Sequence, residues 1–409
     1  MSSSMAVEAA TIPQHIIEFI KAKCPQSPIT SIEESKSAQQ QVWIVSLSPT
    51  STDNIPTPLP DDDDDDWTDA LQQGRNRLVV RIWKAGSRWW NLHQAQDIQG
   101  LADAEVNGYR LARQALLERT TVYIPRVLHY ESSKSTTPCP WALLEYVGPA
   151  STLFDDYNYD PSLVEGMVTM RHEFGFVEPH PRWGRVPVEE SLVYATMVLK
   201  NVTIPLHKAT RRTSTHQNNS DTMGHTIYLF EDMIRLYENA LVEIGRALVS
   251  SATNDDRLNQ AVGHLQTAIQ CLRRSSTTIP PLPPVLVHMD VQPQNLLVGS
   301  SDDILGTRAI RSVLDWEEAA MADPRLDLLL ICRKVVAHRQ QADTLWEFYQ
   351  QESQQALGDI EPWLQLETTH SITTLLLQSM DLLGGGRSPW ETKSDLWGKL
   401  EREFHRLHV

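Results

Sequence analysis

One stretch restricts this 409-residue chain more than any other: VLVHMDVQPQNLLVG at 285–299, followed by AIRSVLDWEEAAMADPRLDLLL at 309–330. An apolar strand, Val285–Val287, delivers His288 and Asp290 into a loop, and Asn295 lies five residues beyond the aspartate. Leu296–Val298 and Ile310–Leu314 are spaced to form a hairpin whose second strand ends on Asp315. Three oxygen-bearing side chains, Asp290, Asn295 and Asp315, could then converge at one end of a small sheet. Carboxylate and amide oxygens are hard ligands and suit Mg²⁺ bound to phosphates. A carboxylate left off the metal can orient and deprotonate an attacking hydroxyl.

That division of labour is found in kinases, where H-x-D-x-x-x-x-N precedes a second, metal-binding aspartate. Here H-M-D-V-Q-P-Q-N supplies the spacing and L-D-W-E the second aspartate, while Asp323, Pro324 and Asp327 form a later D-P-x-x-D element. The segment resembles the aminoglycoside phosphotransferase and choline kinase-like family, whose pattern is H-x-D-x-x-P-x-N, then I-D-[WF]-E and D-P-x-x-D. The resemblance implies a two-lobed protein kinase-like fold with ATP between the lobes. It implies Asp290 as catalytic base and Asn295 and Asp315 as Mg²⁺ ligands. His288, Asp323 and Asp327 would brace the loop and the start of the following helix.

Upstream, the resemblance assigns strand Arg77–Trp83 to the nucleotide. Arg81 and Lys84 are both candidates for the phosphates, but they are three apart, so on a strand they point to opposite faces. Family members often show apolar-apolar-Arg here, which favours Arg81. A helix of about 20 residues centred on Glu105, with Leu101, Val106, Tyr109, Ala112 and Leu116 as its apolar stripe, would supply Glu105 as the acidic partner of Arg81. Taken alone, Glu105 reads as an exposed helix carboxylate. The run Leu143–Val147 resembles the hinge whose backbone receives adenine, with Glu145 and Val147 as contacts. Where family members carry a glycine-rich loop, this chain has Ser35-Lys36-Ser37-Ala38-Gln39-Gln40. Backbone amides and the hydroxyls of Ser35 and Ser37 could hold phosphate there. Met289 occupies a position that is often Gly in the family.

Around this constellation the elements read as an α+β protein with a small β-rich N-terminal lobe, 1–147, and a larger, mainly helical lobe, 148–409. Residues 13–24 form an amphipathic helix with Ile16, Ile17, Phe19 and Ile20 on its apolar side. Strands are expected at Ile29–Ile32, Val42–Leu47, Val127–Tyr130 and Trp141–Tyr146. Residues 48–76, rich in Ser, Thr, Pro and Asp, cannot build a core and are expected to be a disordered acidic insertion. Helices are expected over Pro187–Lys208 and through 226–275. Beyond the Ile310–Leu314 strand the chain is expected to be helical apart from Gly384–Gly386. His172, His180, His216 and His225 lack ligand spacing, and four scattered cysteines form no zinc or disulfide pattern.

The chain carries 36 Lys and Arg against 52 Asp and Glu, a net charge of −16. Such a balance argues against nucleic acid or an anionic membrane as partner, because both attract basic surfaces. It leans towards a cationic or neutral acceptor. Asp61–Asp66 alone supply six of the acids. No stretch of eighteen apolar residues occurs and the N-terminus lacks an early basic residue, so a cytoplasmic protein is expected.

The expected function is therefore ATP- and Mg²⁺-dependent transfer of a phosphoryl group to a hydroxyl of a small molecule, such as an amino alcohol, a sugar or an aminoglycoside-like compound. The missing glycine loop supports an alternative, a kinase-like nucleotide-binding or scaffolding protein that is weak or inactive in transfer. A protein kinase fits poorly, since D-W-E stands for D-F-G and no A-P-E follows.

Overall fold

The computed structural model describes residues 12–35, 41–49, 71, 76–83, 98–132, 139–147, 151–152, 188–211, 228–251, 256–291, 295–298, 309–335, 339–383, 398 and 400–401. The chain divides into two compact units, Met1–Lys84 with Pro125–Gly148, and Ala85–Ile124 with Pro149–Val409. Several expectations lie outside the described residues: the Asp61–Asp66 run, Lys84, Ser37, the side chain of Ser35, most of 150–185, His172, His180, His216 and His225, and Gly384–Gly386.

The first unit is the sheet-rich one. After α1 (Gln14–Lys23) come β1 (Ile29–Ser35), β2 (Gln41–Leu47), β3 (Arg77–Ile82), β4 (Val127–Glu131) and β5 (Trp141–Glu145). They form one antiparallel sheet in the order β1-β2-β3-β5-β4. Period-2 alternation assigns its faces. Trp43, Val45 and Leu47, Leu78, Val80 and Ile82, and Trp141 and Leu143 share a core with Ile16 and Ile20 of α1. Phe19 of α1 sits edge-on to Trp141, with ring centroids 5.3 Å apart. Arg81, of opposite parity to Val80 and Ile82, lies on the other face. β1 runs three residues further than its apolar pattern indicates, because Glu33 and Glu34 pair with Ile44 and Trp43 while staying exposed. On an edge strand the ladder alone is enough to extend the element.

The second unit is mainly helical. Its first helix, α2 (Ile98–Leu116), has the expected length and buries Val106, Tyr109, Ala112 and Leu116. The stretch expected as one helix from Pro187 is α3 (Val188–Val198) and α4 (Ile204–Thr210) joined by a π turn, Leu199–Thr203. Pro205 has no N–H to give, and the Ile204 N–H instead reaches Leu199 O in an i→i+5 bond. The extra residue turns the following face by about 100° and leaves Leu206 and His207 buried.

α5 (Phe230–Ser251), α6 (Asp256–Ser276) and α9 (Glu361–Leu383) pack pairwise, and α7 (Arg325–Lys334) and α8 (Arg339–Ser353) pack together. Arg273 of α6 donates to Glu238 at 2.9 and 2.7 Å, and also to Glu231, both on α5. β6 (Ser151–Thr152), β8 (Leu296–Val298) and β9 (Ile310–Val313) form a three-stranded sheet, with Leu296 opposite Val313.

Ala320–Ala322, expected as part of the helical remainder, is a strand, β10, paired antiparallel with β7 (Val285–Val287). Alanine is the strongest helix former, and three residues buried on both faces show no alternation. Pairing to β7 therefore decides their state. Among the described residues no helix is long and apolar enough to cross a membrane.

Candidate active site

Strand β7 hands the chain to His288, Met289 and Asp290. Met289 takes φ +64°, a left-handed conformation that costs an L-residue about 1–2 kcal/mol. Asp327, in the first turn of α7, holds it there. Its carboxylate accepts the His288 N–H at 2.9 Å and the Met289 N–H at 2.8 Å. Hydrogen bonds to a charged acceptor contribute roughly 1.5–3 kcal/mol each, so the two together outweigh the strain.

Asp327 is itself fully buried and held from behind. His207 Nε2 lies 3.2 Å from its Oδ2, and His207 Nδ1 lies 2.8 Å from the Tyr349 hydroxyl. Burial alone would raise the Asp327 carboxyl, but the His207 hydrogen bond, its charge and the His288 amide outweigh it and hold the group below the usual carboxylate range. Burial pushes the Tyr349 phenol well up, so its hydroxyl stays protonated beside His207. A chain of three side chains from α8, α4 and α7 thus ends on the loop backbone.

The loop closes on itself and on the hairpin. His288 Nδ1 accepts the Asp290 N–H at 3.2 Å, and Nε2 donates to Leu314 O at 2.8 Å. Both ring nitrogens are committed to backbone, and the ring lies 4.5 Å from that of Trp316. Asn295 donates through Nδ2 to the Asp290 carboxylate at 2.8 Å and to Asp290 O at 3.0 Å. Its amide oxygen is therefore turned away from Asp290. Asn295 O accepts the Leu314 N–H at 2.8 Å, which ties loop and hairpin together.

Asp315 follows with φ +64°, and its N–H donates to the Tyr109 hydroxyl of α2 at 3.0 Å. The Asp315 carboxylate offers an oxygen within 4.8 Å of oxygens on Glu105 and Glu317. Glu105 is completely buried here, not exposed as its helix position alone suggests. The carboxylates of Asp315, Glu317 and Glu105 form an all-oxygen cluster with the chemistry a hard divalent cation requires, and Asn295 carries a further amide oxygen in the preceding loop, so the residues present fit Mg²⁺.

Asp323 takes the backbone N–H of Arg325 at 3.0 Å and forms a fork-to-fork pair with its guanidinium at 2.8 and 2.7 Å. Arg325 is buried and also donates to Leu357 O and Pro280 O. Asp323 and Asp327 therefore serve different ends of one turn, the first the start of α7 and the second the loop.

In the first unit, Arg81 is buried on the sheet face away from α1, with its guanidinium 5.8 Å from the Trp83 ring centre. The Glu145 carboxylate is taken up by Arg126, whose backbone N–H and Nε both lie 3.2 Å from Oε2. The Glu145 N–H reaches Arg126 O at 3.0 Å. Val147 is half-buried beyond the end of β5.

Four participants were not singled out from the sequence. Glu317 stands in the D-W-E motif itself and could have been read from it. Tyr109 was assigned only to the apolar stripe of α2. His207 lies 120 residues from Asp327 and 142 from Tyr349, and no local pattern marks either residue.

Residues 235–363 match the family described as "Phosphotransferase enzyme family". No curated protein is matched by sequence. Among solved structures the chain is similar to ADP-bound aminoglycoside phosphotransferase APH(2'')-Ib, at 12% identity over 97% of this chain and 98% of that one, with a TM-score of 0.53. It is also similar to APH(2'')-IIa in a gentamicin complex, at 12% identity over 97% of each chain with a TM-score of 0.52. A streptomycin-ATP ternary complex of APH(2'')-IIa gives 13% identity over 98% of each chain and a TM-score of 0.52. The resemblance carried by residues 285–330 is thereby shown: residues 235–363 match the phosphotransferase enzyme family, and the chain has the kinase-like α+β fold of the aminoglycoside phosphotransferases.

Proposed function

We propose that this chain transfers the γ-phosphoryl group of ATP to a hydroxyl of a small molecule, an amino alcohol, a sugar or an aminoglycoside-like compound. The observation that carries the reading is the 2.8 Å bond from Asn295 Nδ2 to the Asp290 carboxylate. It supports a reading in which one carboxylate serves as base while the neighbouring amide oxygen is left for a separate task. Asp290 orients the acceptor hydroxyl and takes its proton as the new oxygen–phosphorus bond forms. The bond from the γ-phosphorus to the β,γ-bridging oxygen breaks, and ADP leaves with that electron pair.

Asn295 and Asp315 are the residues that would hold Mg²⁺. An ion held there would supply positive charge against the charge that develops on the phosphates. Positioning and charge neutralisation, more than covalent chemistry by the protein, supply the rate. Arg81 is assigned to the nucleotide phosphates and Glu105 to nucleotide binding through the carboxylate cluster beside Asp315. The backbone at Glu145 and Val147 is assigned to adenine, and Ser35 and Ser37 to phosphate. The acidic balance of the chain favours a cationic or neutral acceptor, and the proposed compartment is the cytoplasm.

Release of ADP, followed across a panel of amines, sugars and amino alcohols, tests the proposal. At least one acceptor should raise turnover above background, and Asp290→Asn should lower that turnover about 10²- to 10⁴-fold. No stimulation by any acceptor, or turnover that survives Asp290→Asn, would sink it.

A further inference from the structure

Asp315 presents a mechanical problem that the proposed chemistry leaves open. Its φ of +64° is a conformation L-residues seldom hold unaided, and its carboxylate shares a space of 4.8 Å with two further carboxylates. Like charges at that range repel one another. A backbone under both influences stays in place only if neighbouring groups hold it.

The preceding residue is held twice. The Leu314 N–H donates to Asn295 O, and Leu314 O accepts from His288, each at 2.8 Å. Asp315 itself is held through its N–H, and the acceptor is the Tyr109 hydroxyl at 3.0 Å. Helix α2 is pressed close enough for this bond to form. At Gly108 a Cβ would come within 2.9 Å of Trp316 O and of the Ala319 Cβ. Glu105, Gly108 and Tyr109 stand at i, i+3 and i+4, so one face of α2 meets the D-W-E segment.

From this geometry we propose that Tyr109 is a positioning residue for the metal-binding aspartate: by accepting the Asp315 N–H it fixes the left-handed turn that aims the Asp315 carboxylate. The inference rests on the phosphotransferase reading, in which Asp315 is a ligand of the divalent cation. In this role Tyr109 acts through Asp315 and transfers no proton. Loss of the hydroxyl would leave the fold and the aspartate in place but release the turn.

The test uses the full-length protein and Tyr109→Phe, with Tyr237→Phe as a control that removes a buried hydroxyl elsewhere. Tyr237 is fully buried on α5, and its hydroxyl has no hydrogen-bond partner among the described residues. Mn²⁺ binding in the presence of ADP, read by water-proton relaxation, should weaken about five- to tenfold in Tyr109→Phe, the loss expected for one buried hydrogen bond. Tyr237→Phe should bind Mn²⁺ as the unaltered protein does. In parallel, residue-level hydrogen exchange should show the Asp315 amide protected in the unaltered protein and faster in Tyr109→Phe alone.

Unchanged Mn²⁺ affinity and unchanged exchange in Tyr109→Phe would overturn the inference while leaving the proposed function intact. Absence of Mn²⁺ binding in the unaltered protein would instead overturn the metal role of Asp315, and this inference with it. If Tyr109→Phe fails to fold, exchange in the unaltered protein decides: an Asp315 amide as fast as a solvent-exposed one excludes the bond.

Discussion

At Met289 the protein holds a side chain that is 6% exposed on a backbone at φ +64°. Two terms of opposite sign meet there. Glycine would remove the strain, about 1–2 kcal/mol, but would forfeit a buried methionine, and truncating one to alanine costs about 2–5 kcal/mol. Packing wins, so Met289→Gly should destabilise the protein. The strain is visible in a second comparison: Met289→Gly should be more stable than Met289→Ala by about 1 kcal/mol, the reverse of the order at an ordinary position. Equilibrium denaturation of the two variants measures this difference. Asp327 gives a pH-dependent counterpart. Its carboxyl is held below the ordinary range in the folded state, so its contribution is fully present above the unfolded value and is lost as pH falls through the folded one. Asp327→Asn should therefore cost most near neutrality, about 3–5 kcal/mol for a buried pair broken on one side. The difference from the unaltered protein should shrink as pH falls below about 4, near the unfolded value, when urea midpoints are followed against pH.

At the scale of elements, helix α2 shows what a one-dimensional pattern carries and what it omits. Its length and apolar stripe are legible because the period of 3.6 is written in Val106, Tyr109, Ala112 and Leu116. The burial of Glu105 is not, because it depends on Asp315 and Glu317, some 200 residues away in sequence. The tight seat at Gly108 is equally silent: glycine in a helix reads as a weakness worth about 1 kcal/mol. Gly108→Ala should gain that propensity but drive a methyl to 2.9 Å from a backbone oxygen and the Ala319 Cβ. Backbone cannot rotate away as a side chain can, so overpacking, at about 1–3 kcal/mol, should win and the melting temperature should fall. A rise would mean that α2 sits further from the D-W-E segment than its contacts show. The Ala320–Ala322 strand failed to read as one for a related reason, since its state is fixed by β7 and by nothing in its own composition. In contrast, Val285–Val287 and Leu296–Val298 were legible to the residue, because β-branched and leucine runs bounded by polar loop residues have few other readings.

For the whole molecule, the motif residues were legible as a set because order and spacing are shared between distant positions, whereas the His207–Tyr349 support behind Asp327 exists only in three dimensions. The same distinction separates nucleotide binding from phosphoryl transfer, and two variants divide them. A ligand that binds only the folded state stabilises it by RT ln(1 + [L]/Kd), about 2.7 kcal/mol at a hundredfold excess over Kd. Mg²⁺ with ADP should thus raise the melting temperature, and chelating the metal with EDTA should cancel much of the rise if the carboxylate and amide oxygens carry the cation. In the proposed function Asp290 stays off the metal; its carboxylate accepts a hydrogen bond from Asn295 Nδ2. Asp290→Asn should consequently keep the thermal shift while losing turnover, and Asp315→Asn should lose both. Were Asp290→Asn to abolish the shift as well, its carboxylate would belong to the nucleotide–metal site and the division of roles would fail. A shift with no turnover in the unaltered protein, across the acceptor panel, would favour a nucleotide-binding module over an enzyme. The pair of measurements separates these outcomes because one reads the affinity of the folded state for nucleotide and metal and the other reads proton removal from the acceptor, and within residues 285–330 those tasks are assigned to different side chains.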